Sequence, residues 1–261
     1  MKVAFWNGAG YNGGVTDYVA AIGIFLALSR KCQVVLGSNY ISNHMLQDCF
    51  SSRIKEQGIA HNPYCYSYGT PEYFRGLWEI RLSRTGPVSE KPMEGITIIN
   101  PPDVAEKSMF YYKVPQNVFY FLDIAGENNA ASLSALEEAE LVIVFLPQDV
   151  TEIQKFFQRF SSLIPKALFV IEGNSRNWKA YRSNLESKYG ISRENIAIIP
   201  NNSDYTEACE EGRLDFYIMS HMKQATKEPK YNFMSCLREI TKLLYEHSFS
   251  EKKKEREDEK L

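Results

Sequence analysis

The stretch Trp6-Asn7-Gly8-Ala9-Gly10-Tyr11-Asn12-Gly13-Gly14-Val15-Thr16 holds the residues best placed to do chemistry in this 261-residue sequence. An apolar run, Val3-Ala4-Phe5-Trp6, leads into it, and a helical pattern from Thr16 to Arg30 leads out. Glycines in such a turn let backbone N–H groups approach an anion, and a helix N-terminus adds a favourable dipole. Two phosphate-binding patterns fit. Gly8, Gly10 and Gly13 satisfy GxGxxG, the dinucleotide fingerprint, while Gly8 and Gly13 also satisfy the glycine frame of GxxxxGK[ST]. The first pattern wants a carboxylate about 20 residues on, at the end of the next strand, to hold a ribose. That strand ends in Gly37-Ser38-Asn39, which has none. The second wants lysine where Gly14 stands and a hydroxyl where Val15 stands, with Thr16 one position late. A tight βα turn that binds nothing is the third reading.

Other chemistry-bearing residues are sparser. Asp123 follows the apolar run Val118 to Leu122 and is either a functional carboxylate or a cap for the next helix. Asn128 and Asn129 suit a ligand contact or plain turn chemistry equally. His44, His61, His221 and His247 lack metal-ligand spacing, so no metal site is expected from protein ligands alone. Met219, Met222 and Met234, with Phe216, Tyr217 and Phe233, read as core rather than as a binding stripe. Neither GxSxG nor HExxH occurs.

The elements that must position these residues follow from short apolar runs separated by helical patterns. Strands are expected at Val3 to Trp6, Gln33 to Leu36, Ile96 to Ile99, Val118 to Leu122, Leu141 to Phe145, Leu168 to Ile171 and Ile196 to Ile199. Unalternating runs of this kind suit parallel strands covered on both faces. Helical patterns cover Ser42 to Gln57, Glu152 to Phe160, Lys179 to Tyr189 and Tyr231 to His247, and supply the crossovers. The expectation is an α/β fold, three-layered α/β/α around a mainly parallel sheet, as one domain over 1–247. An irregular excursion at 58–95, with a short helix from Pro71 to Arg81, interrupts it, and a charged tail at 248–261 ends it. Within that excursion the Tyr-rich segment Pro63 to Tyr73 is a candidate contact surface.

Net charge is −2, which argues against a nucleic-acid partner. Five cysteines without CxxC spacing point to reduced thiols and a cytoplasmic protein. The longest apolar stretch, Val19 to Leu28, is too short to span a bilayer, and the tail Glu251 to Lys260 has no apolar face to insert in one.

The second half of the chain resembles the MinD/ParA family of P-loop ATPases. Val118 to Gly126 is similar to the strand and DxxG element of that family, Glu138 to Phe145 to its acidic residue and following strand, and Phe169 to Asn174 and Ile198 to Asn202 to the strand ends that face the nucleotide base. The resemblance covers roughly Met1 to Leu244, and the short altered loop is most similar to the TadZ/CpaE branch that serves Tad-type pilus assembly. It implies a P-loop NTPase-like fold and a ligand site at Gly8, Gly10, Asn12, Gly13, Gly14, Val15, Thr16, Gly126, Asn174, Pro200 and Asn201, with Asp123 as the catalytic carboxylate. ATP or ADP is the implied ligand, with magnesium where nucleotide binds, and the implied partner is a second copy or an assembly-machinery protein. Both loop lysines of the family are missing, at Gly14 and at Ala9. Phosphoryl transfer rests on positioning and charge neutralisation, so weak or absent turnover is expected. That points to a degenerate ATPase acting as a scaffold or localisation factor. The alternatives are an active ATPase with an atypical Walker A loop, and a dinucleotide- or nucleotide-sugar-binding enzyme.

Overall fold

The computed structural model describes residues 1–8, 15–30, 32–38, 49–50, 80–82, 98–99, 118–124, 130–147, 149–173, 178–223 and 232–258. The expected strands form around a common pattern. Each is apolar on both sides, so each must be covered on both sides. Strands β1 (Lys2–Trp6), β2 (Gln33–Ser38), β5 (Val118–Ile124), β6 (Leu141–Leu146), β7 (Ala167–Glu172) and β8 (Ile196–Ile199) run parallel, in the order β2-β5-β1-β6-β7-β8. Two short strands, β3 (Ile80–Leu82) and β4 (Ile98–Ile99), both pair with β2, β3 antiparallel against Val34 and Val35, and β4 parallel against Leu36 and Gly37.

Successive side chains along a strand point to opposite faces, and here they sort into two separate cores. Val3, Phe5, Leu36, Phe121, Ile143, Val170 and Ile199 pack with α1 (Val15–Arg30), α5 (Ser203–Glu210), α6 (Leu214–His221) and α7 (Phe233–Asp258). Their neighbours Ala4, Trp6, Val35, Leu122, Val144, Phe169 and Ile198 pack with α2 (Ala130–Glu138), α3 (Val150–Phe160) and α4 (Trp178–Tyr189). The result is the three-layer α/β/α arrangement, with β1, β5 and β6 at its middle.

Local signals set the helix ends. Asp149 caps α3, accepting from the backbone N–H of Thr151 at 2.7 Å and of Glu152 at 3.0 Å, so the helix starts at Val150 rather than at Glu152. Asn202 caps α5 in the same way, accepting from Tyr205 N–H at 2.8 Å. At the other end of α2, Lys166 Nζ donates to the carbonyls of Glu137 at 2.7 Å and Ala139 at 3.0 Å. These are carbonyls that a helix C-terminus leaves without intrahelical partners. No helix of the described residues is long and apolar enough to cross a membrane.

Several expectations change. The short helix from Pro71 to Arg81 is overturned at its C-terminal end, where Ile80 and Arg81 lie in β3, because Ile80-Arg81-Leu82 extends along an edge that β2 leaves open. The rest of that segment, Pro63 to Tyr73 included, lies outside the described residues, as do Ile96, Thr97 and most of Ser42 to Gln57. Helices α5 and α6 are additions. The Met and aromatic group divides between α6, with Met222 just past its end, and α7. Phe233 and Met234 are core, while Phe216 and Met219 are 47% and 43% exposed, because α6 turns them away from α1. Helix α7 continues past position 247 to Asp258. Among the described residues, Cys32, Cys49, Cys209 and Cys236 form no disulfide.

Lys166→Met keeps the alkyl stem and removes both donors. It should lower unfolding free energy by about 1 kcal/mol, read as a lower urea midpoint with an unchanged m-value. An unchanged midpoint would remove the capping role.

Candidate functional site

The turn after β1 opens at Gly8, whose backbone runs against the rings of Trp6 and Phe156. A Cβ there would lie 2.7 Å from the Trp6 ring and 2.8 Å from that of Phe156. Trp6 is fully buried and stacks edge-on against Phe160 at 4.7 Å, so it cannot yield. Glycine at this position is therefore a steric requirement of the entry to the loop. Gly10, Asn12, Gly13 and Gly14 lie outside the described residues, and the chain is described again from Val15, the first residue of α1.

Three consecutive residues of the first turn of α1 then reach three different partners. Thr16 Oγ1 donates to Asp123 Oδ2 at 2.7 Å. Cys49 Sγ donates to Asp17 Oδ1 at 3.3 Å. Tyr18 Oη donates to Glu172 Oε1 at 2.9 Å. Asp123 sits near the C-terminal end of β5, in register with Phe5 of β1, and Glu172 is the last residue of β7. The parallel sheet brings all these strand ends to one edge, and α1 begins there because β1 feeds directly into it.

The hydroxyl that meets Asp123 belongs to Thr16. It stands one position after Val15, the hydroxyl slot of the glycine spacing. Helix α1 starts at Val15, so Thr16 is its second residue and faces the sheet, and Val15 is itself buried. Asp123 is 1% exposed, and burial pushes its carboxyl up to about 7; the Thr16 hydrogen bond works against that shift and the charge of Asp17 adds to it. Burial also raises Glu172, again opposed by its hydrogen bond from Tyr18 and reinforced by Asp17.

A ring stack supports this turn from the side. Tyr18 lies between Phe145 of β6, at 5.2 Å, and Tyr205 of α5, at 5.5 Å, both nearly parallel to it. Tyr205 continues onto Phe233 of α7 at 4.4 Å. Beyond β7, Gly173 takes φ +128° and donates its N–H to the carbonyl of Ile199, tying the ends of β7 and β8 together. Pro200 and Asn201 follow β8 at that same edge, while Gly126 and Asn174 lie outside the described residues. The structure thus gathers Gly8, Val15, Thr16, Asp123, Pro200 and Asn201 at one edge of the sheet. It adds Asp17 and Tyr205, which spacing did not single out, and gives Tyr18 and Glu172 a shared contact. Among the described residues no cluster of three or more His, Cys, Asp or Glu side chains could hold a metal ion. The Thr16 hydroxyl and Asp123 carboxylate are nonetheless the donor types that hold magnesium beside a nucleotide.

The folded state holds the Asp123 proton more tightly than the unfolded chain, where the ordinary value is 3.8. That contribution is complete below 3.8 and is lost as pH rises to about 7, on the order of 4 kcal/mol in total. Asp123→Asn keeps an acceptor for Thr16 and cannot ionise. The melting temperature of the wild type should fall between about pH 4 and 7 relative to that of the variant. Parallel curves would show that Asp123 does not titrate in this range.

No protein-family model matches this sequence, and no curated protein matches it. Solved structures do. The MinD cell division protein of Aquifex aeolicus superposes with a TM-score of 0.56 at 13% identity, over 94% of this chain and 97% of that one. The ParA family ATPase of Chlorobium tepidum gives 0.53 at 12%, over 92% and 98%. The putative plasmid partition protein of Borrelia burgdorferi bound to AMPPNP gives 0.54 at 13%, over 94% and 98%. At such identities the likeness is one of backbone architecture, and it runs through nearly the whole length of each chain. The protein has the MinD/ParA-type P-loop NTPase fold.

Proposed function

We propose that this protein is a degenerate MinD/ParA-like member of the P-loop class that works as a scaffold or localisation factor, with very weak or no ATP turnover. One observation carries this reading: no register of the loop supplies a lysine. With the hydroxyl slot at Val15, the two lysine positions are Gly14 and Ala9. With it at Thr16, they are Val15 and Gly10. Phosphoryl transfer in this fold depends on cations that neutralise charge developing on the transferred group. None of these four side chains can do so. The residues on either side of the loop are tightly placed, Gly8 against Trp6 and Thr16 against Asp123. A fold preserved without its cation suits a protein valued for its surface.

The role that fits is cytoplasmic, as a homodimer or as a component of a bacterial assembly machine of the Tad-pilus kind. The short altered loop is the feature that suggests that branch. Without a lysine to reach across to a partner's nucleotide, a dimer would rest on apolar and polar contact and would form without ATP. ATP or ADP with magnesium remains the ligand that the fold would take, through Thr16, Asp123 and the strand-end residues Pro200 and Asn201.

A second reading, an active ATPase with an unusual loop, is favoured by one feature, the 2.7 Å contact between Thr16 and Asp123. Steady-state phosphate release from ATP and magnesium separates the two. The proposal expects a rate indistinguishable from that of Asp123→Ala. Turnover at roughly 1 per second or above, abolished in Asp123→Ala, would establish the second reading instead.

A further inference from the structure

Helix α6 carries apolar side chains on two sides. Leu214 and Ile218 are fully buried in the core, while Phe216 and Met219, one turn apart, are 47% and 43% exposed. A surface helix normally has one apolar face and packs it on the core. A second apolar pair turned outward is surplus to folding, and Phe and Met are side chains that protein interfaces concentrate. Among the described residues Val150, at the start of α3, is the only other large hydrophobic exposed to this degree. The setting of the pair is acidic. Helices α5 and α6 are joined by Glu211, Gly212 and Arg213, and the rings of Tyr205 and Tyr217 meet at 6.3 Å, so the two form a helical hairpin. Asp204, Glu207 and Glu210 of α5 are exposed, and that helix carries no basic residue. Burial and then the charge of Asp204 push the phenol of Tyr217, the residue beside Phe216, up to about 12. From Ser203 to Lys223 there are five acidic residues and two basic ones, Arg213 and Lys223, and Arg213 is paired with Glu211.

We infer that the hairpin of α5 and α6 docks a partner protein through a basic amphipathic helix. The apolar side of that helix rests on Phe216 and Met219, and its Lys or Arg side chains meet Asp204, Glu207 and Glu210. Charge decides among the occupants such a face could take. A second copy docking this face on itself would set the same acids against one another, because a twofold contact joins a patch to its own image. An anionic bilayer would be repelled by the same carboxylates. A basic amphipathic helix meets both features at once. Its apolar side chains recur at three and four residues, as Phe216 and Met219 do, and its cations are steered and oriented by the acids. The inference goes beyond the scaffold reading and does not depend on it, since the surface uses no residue of the glycine loop.

The probe is a fluorescein-labelled peptide of Leu and Lys, about 18 residues long so that it can form a helix, with Leu at helical spacing. A control peptide has Glu in place of every Lys. Anisotropy titrations use the full chain, its Phe216→Ser/Met219→Ser variant and its Glu207→Lys/Glu210→Lys variant, with thermal melts to confirm that each is folded. The Lys peptide should bind the wild type, and each variant should bind it about tenfold more weakly or worse. The Glu peptide should not bind, and added salt should weaken the wild-type complex. Phe216→Ala alone serves if the Ser variant does not fold. No binding to the wild type, or equal affinity in the wild type and either variant, would overturn the inference. So would a wild type that sediments as a dimer while the Ser variant is a monomer, which assigns the face to a second copy. Binding to phosphatidylserine vesicles that is lost in the Ser variant would assign it to a membrane, with the same consequence. Phosphate release from ATP bears on the scaffold reading alone, so either idea can fail without the other.

Discussion

The contact between Thr16 and Asp123 joins two parts of the chain that are 107 residues apart, and the arrangement of the site depends on it. Asp123 lies in the middle of the sheet, beside β1, where no water reaches it. A buried carboxyl without a partner costs several kcal/mol, so the position is tenable only if something donates to it. The donor comes from the second residue of α1. That fixes the rotation of the helix at its first turn, which in turn places Tyr18 over Phe145. Burial drives Asp123 toward its neutral form while the hydroxyl favours the charged one, and burial prevails.

Stability comes from elsewhere. The two cores on either face of the sheet hold all seven residues of β5 and all six of β6 out of water. At about 25 cal/mol for each Å² of apolar surface buried, those strands and the helices over them contribute far more than a single loop contact could. The architecture is shared with structural neighbours at 12–13% identity, as an apolar core of this kind allows.

The sheet was largely legible in the sequence because its strands are nearly pure apolar runs, and such runs have one stable solution in a soluble α/β chain. Strand β3 was not, since Ile80-Arg81-Leu82 is too short to show a period and acquires its state only by pairing with β2. Helices α5 and α6 escaped for a similar reason: each is eight residues long, and α6 carries apolar side chains on several faces, leaving Phe216 and Met219 in solvent. Their one local signal was Asn202 ahead of Ser203 and Asp204, a capping sequence. At the site, sequence patterns singled out Thr16 and Asp123 separately, but the contact between them is tertiary and no count of positions reveals it. The pairing of Tyr18 with Glu172 spans 154 residues and leaves no trace in any local pattern.

The first turn of α1 can be understood as a closed set of contacts. In an open phosphate loop, the hydroxyl and N–H groups of that turn wait for a ligand. Here Thr16 is engaged by Asp123, Asp17 accepts from Cys49, and Tyr18 is held by Glu172 and by rings on both faces. An entering anion would have to displace or outcompete these contacts without a lysine to compensate it. The same ring stack passes from Tyr18 through Tyr205 to Phe233, so the first turn of α1 is mechanically continuous with α5 and with the long helix α7. A contact of that kind works in either direction. In a nucleotide-driven relative of this architecture it would carry the state of the loop outward to the surface. Here it ties α5 and α7 to the first turn of α1, and through that turn to the strand ends of β5, β6 and β7.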